Sequence, residues 1–264
     1  MELFIIAKTH FSRPKEVSEQ TLLLLPLCYN GGMTKQYDDK VAFVIPAYNE
    51  GSVIRATVDS IPAEFSQIIV VNDGSKDNTL EALAGSRATI ISHPVNLGQG
   101  ASLQTGIEAA LMNPHTQYIV TFDADGQHRI EDVITMLEHM EKNPRLDIVL
   151  GSRFLGKTIN MPKSKERILK AAIAFSNKTT GVTLTDTHNG LRVMTREAAE
   201  RMKLEMPDFS HASEIIHRIA EEDMNWEEVP VVIEYTDYSR GKGQAMINAI
   251  NIVFDVTLDR MTKK

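Results

Sequence analysis

The octapeptide Thr121-Phe-Asp-Ala-Asp-Gly-Gln-His128 carries two carboxylates one residue apart, Asp123 and Asp125, followed by Gly126 and Gln127. The apolar run ahead of it, Tyr118 to Phe122, reads as a short buried strand. Side chains alternate along a strand, so both carboxylates are expected on one face where it ends. A hard divalent cation takes a few oxygen ligands and completes its shell with water and phosphate oxygens. Asp123, Asp125 and Gln127 suit that set. They also suit an Asp- and Gly-rich turn that merely ends a strand. The elements around this stretch decide between the two.

Those elements begin at Val41. Val41 to Ile45 reads as a buried strand ended by Pro46-Ala-Tyr-Asn-Glu50, and Val53, Ile54, Thr57, Val58 and Ile61 form one helical stripe after it. Gln67 to Val71 is a second strand that closes on Asn72-Asp-Gly-Ser75, with a helix starting at Asp77-Asn-Thr79. Ala88 to Ser92 is a third strand, and Asn96-Leu-Gly-Gln-Gly100 leads a helix carrying Leu103, Ile107, Ala110 and Leu111. Tyr118 to Phe122 is the fourth strand, followed by a helix with Ile130, Val133, Ile134, Leu137 and Met140, and Asp147 to Gly151 is the fifth. Strand and helix alternating with short connections imply an α/β fold, with a Rossmann-like, mostly parallel sheet flanked by helices. Ligands of such sheets bind beyond the carboxyl ends of the strands. Pro46–Glu50, Asp73, Asn96–Gly100 and Asp123–Gln127 therefore gather at one edge.

After Gly151 the alternation stops, and a smaller α+β subregion is expected. Its elements are helices over 163–180, 196–203 and 211–221, and strands over 191–194 and 226–235. Pro230 removes a ladder donor, which places the last strand at an edge or at a bulge. Residues 1–40 are expected as a poorly ordered N-terminal extension, 41–242 as the main domain, and 243–264 as an amphipathic C-terminal helix. On that helix Met246, Ile247, Ile250, Val253, Phe254 and Leu258 form an apolar stripe suited to core packing, to a membrane surface or to a dimer contact.

Composition narrows the function. A net charge of −7 and a pI near 5.6 argue against a general nucleic-acid binder. No run of eighteen apolar residues occurs. The single cysteine, Cys28, excludes an internal disulfide and fits a reducing compartment. The expected location is the cytoplasm, or the inner face of the membrane as a peripheral protein.

Four ordered stretches, Val44-Ile-Pro-Ala-Tyr-Asn-Glu50, Val70-Val-Asn-Asp-Gly-Ser-Lys-Asp-Asn-Thr79, Asn96-Leu-Gly-Gln-Gly-Ala101 and Phe122-Asp-Ala-Asp-Gly-Gln-His128, resemble the family 2 glycosyltransferases. Within that family they are most similar to the dolichyl- or polyprenyl-phosphate sugar synthases, over about residues 41–240. The resemblance implies a GT-A fold, a nucleotide-diphospho-sugar donor, Mg²⁺ or Mn²⁺, and inversion at the anomeric carbon. It also implies that Pro46, Ala47, Tyr48 and Glu50 line the nucleoside pocket, that Asp73 holds base or ribose, and that Asp123, Asp125 and Gln127 hold the metal on the donor diphosphate. Gly151-Ser-Arg153 matches a family motif, so Arg153 and Arg167 are expected on the acceptor phosphate. Arg240 and Lys242 resemble a late basic loop that closes over the phosphates, Arg240 toward the donor and Lys242 toward the acceptor.

Asp186-Thr-His-Asn-Gly-Leu-Arg192 matches a further family stretch, with Asn189 and Leu191 where that family carries Ser and Phe. Asp125 and Asp186 are the candidate catalytic carboxylates, Asp186 as base or acceptor-positioning group. His188, His211 and Glu214 are weaker candidates. Between Arg153 and Lys178 seven basic residues face one acid, Glu166, which invites an anionic partner. The expected acceptor is a lipid phosphate, with a glycan hydroxyl as the alternative, and a homo-oligomer is compatible with the pattern. A non-catalytic nucleotide-sugar binder is the reading from a different class. A phosphatase of the haloacid-dehalogenase type needs a later Gly-Asp loop, and this chain has no Gly-Asp dipeptide. The three-glycine dinucleotide fingerprint is incomplete, since Leu103 stands at its third position. Met33 opens a polar stretch just ahead of the first strand, so translation is expected to start there. Intact-mass measurement of the natively expressed protein checks this, with a mass counted from Met33 expected and one counted from Met1 overturning it.

Overall fold

The computed structural model describes residues 35–206, 211–236 and 238. The expected extension up to residue 34, the loop residues Arg240 and Lys242, and the closing helix lie outside the described residues.

The last six residues of the expected extension belong to the folded unit. Lys35–Lys40 forms a 3-10 helix whose Tyr37 is buried and stacks on Phe65 at 6.3 Å between ring centroids. The chain then runs through β1 (Val41–Ala47), α1 (Ile54–Ser60), β2 (Gln67–Asn72), α2 (Thr79–Leu83), β3 (Thr89–Ser92), α3 (Gln99–Leu111), β4 (Tyr118–Thr121), α4 (Ile130–Lys142) and β5 (Ile148–Ile159). It continues through α5 (Lys163–Thr180), β6 (Arg192–Thr195), α6 (Arg196–Arg201), α7 (His211–Glu221) and β7 (Trp226–Glu234).

The seven strands form one sheet in the order β3-β2-β1-β4-β6-β5-β7. β1 pairs in parallel with both β2 and β4, β3 pairs in parallel with β2, and β7 in parallel with β5. The one departure from the expected parallel run is β6, which enters antiparallel between β4 and β5. Short strands carry no sequence mark of their partner, so this insertion follows from tertiary packing alone. Strand order reverses across β1, with β2 on one side and β4 on the other, which opens a crevice at their carboxyl ends.

β5 is longer than its apolar segment suggested. Beyond Gly151 it continues to Ile159, with Leu155, Gly156 and Lys157 exposed, and its pairing with β7 shifts register between Ser152 and Lys157. Pro230 lies opposite Ser152 at that irregularity, and β7 is an edge strand, as its proline required.

Alternation along the strands fills two cores. In β1, Val41, Phe43 and Ile45 face the layer of α1 and α4, whereas Ala42 and Val44 face α3, α6 and α7. On the first side Phe43 meets Phe65 and Phe122 edge-on at 5.1 and 5.8 Å, and Phe122 meets His128 at 5.4 Å. This row of rings carries core rigidity directly to the acidic turn. On the second side α3 lies close on β1 because position 106 has no side chain. A Cβ there would stand 2.3 Å from Val44 Cγ1. Gly106→Ala is expected to cost about 1–3 kcal/mol by overpacking. Urea unfolding reads this, and an unchanged midpoint would mean that α3 can lift off β1 without loss.

Candidate active site

At the end of β4 the backbone leaves strand geometry. The two carboxylates are brought together by the turn of residues 123–126, with Gly126 at φ +73°, and not by strand alternation as expected. The turn is fastened from several elements. Thr57 of α1 donates its hydroxyl to the Ala124 carbonyl at 2.8 Å, and the Thr121 hydroxyl donates to the Gly190 carbonyl at 2.6 Å. Gly190 passes so close that a Cβ on it would sit 2.1 Å from the Asp123 carboxylate.

Asp123 Oδ2 lies 2.8 Å from His128 Nε2, and Asp125 Oδ1 accepts the Gln127 amide at 3.1 Å. Burial pushes the Asp123 carboxyl up, but His128, Arg192 and His211 outweigh it and hold the group below the usual carboxylate range. For Asp125, burial and the neighbouring Asp123 outweigh His128 and the Gln127 amide and push it up to about 6. Among the described residues each carboxylate keeps one oxygen without a hydrogen bond, Asp123 Oδ1 and Asp125 Oδ2. Two like-charged, partly desolvated carboxylates with free oxygens fit a hard cation that takes its remaining ligands from a diphosphate and water. Among the described residues no group of three or more His, Cys, Asp or Glu is arranged to hold a metal ion, so the protein offers an incomplete shell.

The turns after β1 and β2 are stitched together. The Asn49 amide donates to Ser75 Oγ, Glu50 to Thr79 Oγ1 and Gly51 to Asp77 Oδ2, each within 3.0 Å. Asn49 adopts φ +53°, and Tyr48 stands 40% exposed beside it with the half-buried Pro46 and the buried Ala47. Tyr238, beyond β7, donates to Glu50 Oε2 at 2.7 Å and so returns the chain to this turn.

Asp73 does not face this pocket. It is 3% exposed, and its carboxylate lies 2.7 Å from His93 Nδ1 while accepting the amides of Leu97 and Gly98 at 2.9 and 2.8 Å. These bonds close the loop between β3 and α3 on the Asp73 carboxylate.

On the far side of the crevice lies a charged cluster. Asp186 Oδ2 accepts Arg153 Nε at 2.6 Å and the Arg153 amide at 3.0 Å, and both side chains are buried. Arg153 also donates to Tyr235 Oη at 2.7 Å and to the His188 carbonyl at 2.8 Å. Three of its five N–H groups are thereby engaged, and Asp186 is its counter-ion. The expected carboxylate Asp186 is thus paired with the expected phosphate ligand Arg153. Glu214 is committed too, accepting the amides of Glu205 and Met206 at 2.8 and 2.9 Å. His188 is held neutral, since burial together with Arg153 and Arg192 pushes it down to about 4 against the pull of Asp186.

Arg167 stands in solvent. It lies on the exposed face of α5, whereas Lys165, two residues earlier and so on the opposite face, is 4% exposed. Lys165, His128 and Arg192 escaped the sequence reading. Lys165 had a usable signal, because it precedes Leu169, Ala172, Ile173 and Ser176 by 4, 7, 8 and 11 positions, the inward stripe of a helix. His128 and Arg192 sat inside quoted motifs, but their contact with Asp123 depends on a turn and on a strand from elsewhere in the chain.

A mostly parallel sheet with flanking helices, an acidic turn ending β4 and a buried arginine–aspartate pair beyond it is the GT-A arrangement of glycosyltransferases. The chain belongs to the glycosyl transferase family 2, whose profile matches residues 42–203. It is 33% identical to an uncharacterized protein of Methanocaldococcus jannaschii, over 84% of this chain and 93% of that one. It is 27% identical to a UDP-N-acetylglucosamine–dolichyl-phosphate N-acetylglucosaminyltransferase of Methanococcus voltae, over 86% and 98% of the two chains. Among solved structures, glucosyl-3-phosphoglycerate synthase of Mycobacterium tuberculosis with Mg²⁺ and UDP superposes with a TM-score of 0.63 at 17% identity, covering 83% and 80%. The same synthase has been solved with Mn²⁺ and UDP-glucose.

Because Asp125 must be ionised to take a cation, its raised pKa sets a pH dependence. Affinity for Mn²⁺ is expected to be level above about 6 and to fall by up to about tenfold per pH unit below it. Asp125→Asn should bind weakly with no such slope. Calorimetric titration of Mn²⁺ at fixed UDP across pH 5–8 (a span of about one unit below and two above that pKa) reads both.

Proposed function

We propose that this enzyme moves a sugar, with inversion, from a nucleotide-diphospho-sugar to a lipid phosphate of the polyprenyl or dolichyl type, with Mg²⁺ or Mn²⁺. One observation carries the choice of acceptor. The acids on the acceptor side are already committed, Asp186 to Arg153 and Glu214 to two backbone amides, and His188 is held neutral at low basicity. A sugar hydroxyl would need a base to take its proton. A phosphate monoester arrives ionised and needs none. Similarity to the dolichyl-phosphate transferase of Methanococcus voltae, along nearly its whole length, supports the same reading.

In this scheme a phosphate oxygen of the acceptor attacks the anomeric carbon. The bond to the nucleoside diphosphate breaks, and its electron pair leaves with the diphosphate. A divalent cation held by Asp123, Asp125 and Gln127 would neutralise charge gathering on that leaving group. Pro46, Ala47, Tyr48 and Glu50 line the nucleoside side, with Asp73 fixing the loop behind it. Arg153, anchored by Asp186 and Tyr235, keeps two N–H groups for an acceptor phosphate. No helix among the described residues is long and apolar enough to cross a membrane, so a lipid acceptor would be met at a surface.

Asp125→Ala is expected to lower transfer on the order of 10²–10³-fold and to remove metal-dependent donor binding. The assay offers UDP- and GDP-sugars with Mn²⁺ to polyprenyl phosphate and follows label into the lipid phase. Transfer that survives the substitution, or turnover confined to sugar hydroxyls, would overturn this function.

A further inference from the structure

The charges of α5 are unevenly placed. Lys163, Arg167, Lys170 and Lys178 stand in solvent, while Lys165 falls on the inward stripe and is 4% exposed. A lysine seldom leaves water without a carboxylate or hydrogen-bond partner to replace it. Among the described residues Lys165 makes neither an ion pair nor a hydrogen bond, and its ammonium rests 4.5 Å from the centroid of the Tyr235 ring. A ring face attracts an ammonium far more weakly than the water it loses on burial. Nor is Nζ sealed in, unlike the interior hydroxyl Ser102 Oγ.

The surroundings sharpen the imbalance. The hydroxyl of the same Tyr235 accepts from Arg153, so two cations flank one ring. The acid beside them, Asp186, is committed to Arg153. Burial and the Arg153 charge both weaken the hold of Lys165 on its proton, and among the described residues the acid that opposes them is Asp125, in the acidic turn. An anion placed between that turn and Tyr235 would meet Lys165 Nζ together with the two remaining N–H groups of Arg153.

We infer that Lys165 is a phosphate ligand of the active site, acting with Arg153, and that it is the α5 cation facing the chemistry in place of Arg167. This rests on the proposed reaction. The group bound is a phosphate, belonging either to the acceptor monoester or to the donor diphosphate.

Lys165→Met keeps the stem and removes the charge, and Lys165→Arg keeps the charge. Calorimetry on the full chain with Mn²⁺ uses farnesyl monophosphate as the acceptor probe and inorganic pyrophosphate as the donor probe. Lys165→Met should weaken one probe about tenfold or more and leave the other within about twofold, with Lys165→Arg restoring most of the loss. Loss of farnesyl monophosphate assigns Lys165 to the acceptor, and loss of pyrophosphate assigns it to the donor. Unchanged binding of both, or equal losses that Lys165→Arg does not rescue, would overturn the inference. Asp125→Asn run in parallel separates the two levels. If it abolishes Mn²⁺-dependent pyrophosphate binding while Lys165→Met changes nothing, the reaction stands and only Lys165 falls. If wild-type protein binds neither probe, both fall.

Discussion

Two carboxylates in adjoining places, partly withdrawn from water, repel each other, and the structure depends on how that repulsion is held. Asp123 is stabilised by groups from three separate elements: His128 beyond the same turn, Arg192 at the start of β6, and His211 at the start of α7. His128 is itself held by the ring of Phe122, which belongs to the aromatic row running back to Tyr37. The turn is therefore as rigid as the core behind it. Asp125 is left uncompensated, its carboxyl raised to about 6, and that leftover repulsion favours a cation.

The opposite wall solves the reverse problem. Arg153 is buried with Asp186 in a geometry close enough to offset much of its lost hydration, and Tyr235 and the His188 carbonyl take further donors. That pairing ties Asp186 to Arg153. In the proposed reaction one wall would hold a cation for the leaving diphosphate, and the other would present positive charge to the incoming phosphate.

Much of this was legible in the chain. The strands and helices from Val41 to Lys142 follow their apolar periodicities within a few residues, because most are decided by local burial, the largely exposed β3 excepted. The acidic turn, the β1 turn and the cationic segment each fell at the sheet edge where a parallel α/β topology puts ligand sites. What the chain does not show is which partners a residue meets from far along it. His93, Leu97 and Gly98, some twenty residues on, bond to the Asp73 carboxylate. Asp186 is paired with Arg153, which lies 33 positions earlier. Arg167 and Lys165 are indistinguishable as cations, and only their faces of α5 separate them.

By itself the sequence determined the α/β architecture, the edge carrying the chemistry and the paired acids of the turn, since these depend on periodicity and on residues adjacent in the chain. Tertiary structure decided the antiparallel entry of β6, the stabilisation of Asp123 by His128 and Arg192, the internal bonds of Asp73 and Asp186, and the burial of Lys165 over Tyr235. Charge compensation is a matter of a few ångströms between residues tens of positions apart. No local pattern carries that distance.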